Sequence, residues 1–269
     1  MNGEWTSIIA ATQASGRQVV LAITGGGTGA IAELLRVPGG SRLLLEAVVP
    51  YDARALEEFL GAPPLQACSA ETAVAMAERA RARAAALAHP GAVPLGVGAT
   101  ASLVSDRPKQ GEHRCHIAVA SDAGAEVFSV VLDKGRRDRP AEEDLVAGAI
   151  VLSLAHACGA AAPAPETLLG PGDGATRASV RATSPIEQLV AGALDRVTVQ
   201  PDGQITQGAP APAAVLPGSF NPLHGGHRGL ARIASELLGV PVHFEISALN
   251  VDKPSLDAAE VRRRLAQFA

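Results

Sequence analysis

The chain alternates short apolar runs with amphipathic segments, and the spacing inside each run separates strand from helix. Residues 18–23 are almost continuously apolar and short, the pattern of a strand buried on both faces. A glycine-rich turn follows, Thr24-Gly25-Gly26-Gly27-Thr28-Gly29, and residues 30–35 then carry helical spacing as far as Pro38-Gly39-Gly40. A short helix over 6–15 precedes that strand. Residues 43–49 read as a helix passing into a strand, and 53–60 as a helix. Ser69 caps the clearest helix, which runs to about residue 88 with Glu71 in its first turn. Residues 93–100 form a strand of small side chains. Residues 114–120 and 126–132 pair across Ser121-Asp122-Ala123-Gly124. A second long helix, acidic at its start, spans 141–158.

The order β-α-(α)β-α-β-β-β-α predicts an α/β domain of two or three layers over residues 1–160. Ala, Pro and Gly then dominate, so 161–212 reads as a linker carrying a short helix over 184–194 and a hairpin over 197–206 around Pro201-Asp202-Gly203. A third region, 213–269, opens on the apolar run Ala213-Ala214-Val215-Leu216. It continues through a glycine-rich loop, a helix over 230–238, a strand over 242–246 and a last helix bearing Arg262, Arg263 and Arg264.

Composition narrows the class. Apolar residues make up 47% of the 269, enough for a folded core, and aromatics only 3%, so Ala, Val and Leu must build it. The formal net charge is -4 and no Lys/Arg block stands out, which gives a nucleic-acid partner no electrostatic support. The 3 cysteines, Cys68, Cys115 and Cys158, are widely spaced and make no disulfide framework. No apolar stretch is long enough to span a bilayer, and Asn2-Gly3-Glu4 after Met1 lacks the basic start of a signal peptide. The expectation is a cytoplasmic protein with a small-molecule partner and no membrane.

The residues Gly218-Ser219-Phe220-Asn221-Pro222-Leu223-His224-Gly225-Gly226-His227 stand where a strand hands over to a helix. Free backbone N–H groups and the positive end of the helix dipole attract anions there. Imidazoles donate to oxygens that gain charge during phosphoryl or nucleotidyl transfer. A zinc pair is the competing reading of H-x-x-H, but no Cys or carboxylate cluster stands nearby to complete a ligand set. The stretch resembles the HxGH signature of the nucleotidylyltransferase superfamily, and Asn250-Val251-Asp252-Lys253-Pro254 matches a lysine-bearing loop of its mononucleotide adenylyltransferases. The resemblance implies catalytic roles for His224 and His227, nucleotide binding by Gly218, Ser219, Phe220, Asn221 and Lys253, and ATP or CTP with Mg²⁺. The superfamily's second signature, a Ser/Thr-rich loop with a downstream Arg, is absent. Residues 213–269 are therefore expected to hold an incomplete Rossmann-like β-α-β segment, short of the usual domain size.

Residues 18–158 resemble, more distantly, the C-terminal domain of the competence-damage protein CinA, with its nicotinamide-nucleotide amidase fold. The carrying residues are Thr24 to Gly29, Val37-Pro38-Gly39-Gly40-Ser41, Glu46 to Tyr51, the helix start Ser69-Ala70-Glu71, Leu95 to Thr100, and Arg107-Pro108 before Gly111. The resemblance places the family's nucleophilic serine on Thr24, its Tyr on Tyr51 and its lysine on Leu56, which can neither act as a base nor polarise a hydroxyl. It also implies a homo-oligomer. Thr24, Gly25, Gly26, Gly27 and Tyr51 thus form a second candidate ligand site. Gly25-x-Gly27-x-x-Ala30 loosely fits a dinucleotide fingerprint with Glu46 as its acidic partner, though a tight turn explains the glycines equally.

The remaining polar clusters read as structural. Strand alternation puts His113 and Cys115 on one face and His116 on the other, against a metal site. Arg136, Arg137 and Arg139 read as a solvated turn or a phosphate grip. Arg79, Arg81 and Arg83 read as a solvent face, and Cys158 as packing. Three functions stay open: nucleotidyl transfer to a small phosphorylated acceptor such as nicotinamide or nicotinate mononucleotide, hydrolysis of an amide on a mononucleotide through Thr24, and nucleotide binding without catalysis.

Overall fold

The computed structural model describes residues 3–107, 110–192, 194–207, 209–249 and 254–268. The chain divides into two compact units, Met1–Ala182 and Thr183–Ala269.

The first unit contains, in order, α1 (Gly3–Gln13), β1 (Arg17–Thr24), α2 (Gly29–Arg36), a 3₁₀ turn at Gly40–Arg42, β2 (Leu44–Val48), α3 (Ala53–Leu60), α4 (Ala70–Leu87), β3 (Val93–Ser102), β4 (His113–Ser121), β5 (Gly124–Leu132), α5 (Arg139–Ala157), a 3₁₀ turn at Pro165–Leu168 and β6 (Gly174–Arg181). The strands form one mixed sheet in the order β2-β1-β3-β4-β5-β6. β1 is parallel to β2 and β3, and the remaining pairs are antiparallel. β1 is buried on both faces, as its apolar run requires. Val19, Leu21 and Ile23 point into the larger core, shared with α1, α2 and α5. Val20 and Ala22 point the other way, onto Leu56 of α3 and Met76, Ala80 and Ala84 of α4. Helices therefore cover both faces, which settles the layer count at three.

The small residues of β3 have a specific use. Leu95, Val97 and Ala99 fill the core on the α5 side. Gly96 and Gly98 lie under α4, where a Cβ on either would overlap the helix backbone at Ala77 and Arg81, or at Ala73 and Ala77. An alanine stripe, Ala73, Ala77, Ala80 and Ala84, meets them from the helix side, fully buried. Burial of the alanine methyl groups and of the strand beneath them, at about 25 cal/mol per Å², holds α4 here in place of large side chains.

Two segments depart from the sequence reading. The helix expected at the start of 43–49 stops at Arg42, and Leu44 to Val48 pair with β1 as strand. Within the stretch read as linker, Gly174–Arg181 forms β6, the exposed edge of the sheet against β5.

The second unit contains α6 (Pro185–Val190), the two-stranded hairpin β7 (Val197–Val199) and β8 (Ile205–Gln207), then β9 (Ala214–Pro217), α7 (Gly225–Leu238), β10 (Val242–Glu245) and α8 (Ala258–Leu265). β9 and β10 pair in parallel around α7, a single β-α-β unit. Ile186, Ala248 and Val261 form its small core.

Candidate functional site

In the first unit the glycine-rich turn stands at the carboxyl end of β1, between β2 and β3. The chain leaves β1 toward one neighbour and later returns to the other, so ligands of open α/β sheets collect at this place. Gly25 and Gly27 take φ of 78° and 89°, which favours glycine. A Cβ on Gly25 would overlap the Ala101 carbonyl of β3.

The N–H groups of this turn already have an anion. Glu143, near the start of α5, places Oε1 2.8 Å from Gly27 N and 3.0 Å from Thr28 N, and accepts from Thr28 Oγ1 at 3.1 Å. Arg139 neutralises it, with Nη2 at 3.3 Å from Glu143 Oε2 and 2.9 Å from the Gly25 carbonyl, while Nη1 donates to Val104 O. A carboxylate at a helix N-terminus satisfies the same groups a phosphate would. Of the site expected at Gly25, Gly26 and Gly27, the Gly27 N–H is thus bonded within the chain. Thr24 Oγ1 donates to Pro50 O at 2.9 Å. Tyr51 is 65% exposed and Leu56 only 3%, the latter packed in the core behind β1. Open grooves of about 530 and 480 Å³ flank α2 and α3, and neither is lined by Thr24 or Gly25–Gly27.

Other sequence candidates are held in internal contacts. Glu46 pairs with Arg83 at 2.9 Å. Arg81 pairs with Asp122, and Arg79 donates to Leu60 O. Arg136 donates to Pro171 O, so the turn read as solvated or phosphate-gripping is tied to the following loop. Arg137 grips Asp173 through two bonds of 3.0 and 2.6 Å. Burial pushes the Asp173 carboxyl up, but the Arg137 hydrogen bonds and the N–H groups of Asp133 and Gly170 outweigh it and hold the carboxyl at about 2. His113 and Cys115 do share a face and His116 takes the other. His113 Nδ1 lies 2.7 Å from Glu142 Oε1, a fully buried carboxylate whose Oε2 accepts from Val104 N. Burial pushes the Cys115 thiol up to about 12, far from a reactive thiolate. Cys158 sits in the core. Among the described residues no group of His, Cys, Asp or Glu is placed to hold a metal, and no helix is long and apolar enough to cross a membrane.

In the second unit the motif residues meet at the N-terminus of α7. His224 is its N-cap and His227 lies one turn on. Their rings stack with centroids 3.8 Å apart and planes 23° off parallel. Gly226 lies under the His224 ring, where a Cβ would stand 3.1 Å from Nδ1 and Cε1. His224 N donates to His227 Nδ1 at 3.4 Å. A neutral imidazole that accepts at Nδ1 carries its proton on Nε2, so His227 presents an N–H donor on its far side. The backbone of the preceding loop, expected to line a nucleotide site, makes internal bonds. Gly218 N donates to Glu245 O, and the carbonyls of Ser219 and Phe220 accept from Arg264 and Gln267. Asn221 Oδ1 accepts from Arg263, and the Phe220 ring is buried. Lys253, with Asn250 to Asp252, lies outside the described residues.

No family model matches the chain, and no curated protein does. Solved structures similar to it include the competence or damage-inducible protein of Enterobacter asburiae, 16% identical with a TM-score of 0.47, over 59% of this chain and 98% of that one. A CinA superfamily protein of Enterobacter cloacae is 19% identical with a TM-score of 0.45, over 58% and 89%. The competence/damage inducible protein CihA of Agrobacterium tumefaciens is 18% identical with a TM-score of 0.43, over 59% and 94%. All three carry competence- or damage-related names.

Sequence reasoning missed Glu142, Glu143 and Asp173. The run Glu142-Glu143-Asp144 reads as an ordinary acidic first turn. Nothing local shows that Glu143 meets a loop 116 residues earlier.

Proposed function

We propose that the second unit binds the phosphate chain of a nucleotide through His224 and His227 at the N-terminus of α7. Nucleotidyl transfer from ATP or CTP to a small phosphorylated acceptor, with release of pyrophosphate, is the reaction such a site serves. One observation carries this reading: the stacked imidazoles at a helix N-terminus, with His227 Nδ1 turned to His224 N at 3.4 Å. A donor fixed in place before the ligand arrives stabilises charge gained on the α-phosphate oxygens without reorganisation. The described residues offer no carboxylate cluster for Mg²⁺, so the ion is assigned no protein ligands. The acceptor that the two resemblances suggest together is nicotinamide or nicotinate mononucleotide. The test is pyrophosphate release from ATP or CTP with that acceptor, lost in His224→Ala and His227→Ala. Saturable nucleotide binding without pyrophosphate release supports the purely binding module instead.

The hydrolase reading keeps one supporting observation. Thr24 stands at the carboxyl end of β1, at the switch point of the sheet. Against it, the Thr24 hydroxyl is bonded to Pro50 O and the position of the family's lysine is the buried Leu56. Ammonia release from nicotinamide mononucleotide, lost in Thr24→Ala, supports it; no release removes it.

A further inference from the structure

Among the described residues Phe220 is the non-glycine residue with a positive φ, at 43°. L-residues resist this left-handed conformation, so surrounding contacts must hold it. The ring packs edge-on against Phe244, Phe268 and His227, with centroids 5.2, 5.6 and 5.1 Å away. A Cβ on Gly218 would strike that ring at 2.6 Å, which explains glycine there. The seat of His227 is therefore the Phe220 ring, and the Phe220 backbone decides where that ring stands.

One side chain straddles this loop. Gln267, just past α8, donates from Nε2 to Phe220 O at 2.9 Å and accepts at Oε1 from Leu223 N at 2.8 Å. It thus grips the residue whose ring seats His227 and the residue that precedes His224. Arg228 of α7 returns the contact, donating to Gln267 O at 3.0 Å. Arg264 donates to Ser219 O at 3.1 Å, and Arg263 to Asn221 Oδ1 at 2.8 Å. Both arginines also share the single carboxylate of Glu260 while they brace the loop.

We propose that Gln267 is a positioning residue of the histidine site, fixing the Phe220 backbone and the entry to α7 so that His227 keeps its Nε2–H tautomer facing outward. This rests on the reading that the site takes phosphate. An amide suits the task because it offers one donor and one acceptor to one carbonyl and one N–H. Neither alanine nor a carboxylate does both.

The full-length chain, with Gln267→Ala and Gln267→Glu, tests this in two ways. Without ligand, ¹H–¹⁵N imidazole spectra of wild-type protein show His227 as the Nε2–H tautomer. In folded Gln267→Ala the signals move toward the mixture of free histidine. Affinity for inorganic tripolyphosphate falls about tenfold in either variant, the loss expected for removed loop hydrogen bonds. Should Gln267→Ala unfold the unit, Gln267→Glu, which keeps the acceptor toward Leu223 and loses the donor toward Phe220, carries the same spectroscopic test. Unchanged imidazole signals in a folded variant overturn the proposal. Wild-type protein that ignores tripolyphosphate, while the variants still shift the imidazoles, overturns the phosphate reading and leaves the positioning role supported.

Discussion

Replacing Glu143 by alanine removes the anion that holds the glycine-rich turn. Glu143 Oε1 accepts three hydrogen bonds, from Gly27 N, Thr28 N and Thr28 Oγ1, and its other oxygen meets Arg139. Hydrogen bonds to a charged group contribute about 1.5–3 kcal/mol each when water is excluded. Here one oxygen serves three donors and the side chain is 24% exposed, so water takes over part of the role. The net loss is about 3 kcal/mol. For a unit of this size each kcal/mol moves Tm by about 2–4 °C, so Glu143→Ala lowers it by about 6–12 °C. Glu143→Gln keeps an acceptor oxygen without the charge and falls between, at about 1 kcal/mol. Urea unfolding followed by far-UV circular dichroism measures both. Inorganic phosphate added to Glu143→Ala restores part of the lost stability, because it binds the folded turn in place of the carboxylate, and leaves wild type unchanged. A Glu143→Ala protein within about 0.5 kcal/mol of wild type would refute the reasoning. So would an equal response of both proteins to phosphate.

Three further outcomes follow from the first unit. Gly98→Val sets a side chain against the backbone of α4, and this overpacking costs at least about 3 kcal/mol, read as a lowered urea midpoint or loss of soluble protein. Leu56→Lys puts a charge into the core behind β1 and destabilises by about 3 kcal/mol at neutral pH; recovery at high pH, where the amine is neutral, checks the cause. Asp173→Asn breaks the grip on Arg137 and costs about 3 kcal/mol at pH 7. The folded Asp173 carboxyl titrates near 2 against an ordinary 3.8. Its stabilisation is therefore complete above the ordinary value and drains away as pH falls through about 2, so the gap between wild type and Asp173→Asn closes over that acid range.

Elements with a strong local signal were legible in the sequence. β1 is a short apolar run, α4 an amphipathic helix capped by Ser69, and β4 and β5 alternate, and each stands within a few residues of its reading. The run from Leu43 to Val49, apolar except for Glu46, was ambiguous because it is short and fits either period, and only pairing with β1 decides for strand. β6 escaped notice because a strand exposed on both faces needs no apolar alternation. Of the candidate sites, the histidine pair was readable because its residues are neighbours in sequence. The internal bonding of Gly27 was not, because it depends on Glu143, brought in from α5 by the packing of that helix on the sheet.

The account stands most directly on whether a phosphate chain binds at the N-terminus of α7. Isothermal titration of the full chain with inorganic tripolyphosphate, beside His227→Ala and Thr24→Ala, decides it. The account predicts saturable binding, weakened at least about tenfold by loss of the His227 donor and untouched by Thr24→Ala. Binding that survives His227→Ala, or that Thr24→Ala abolishes, would contradict it.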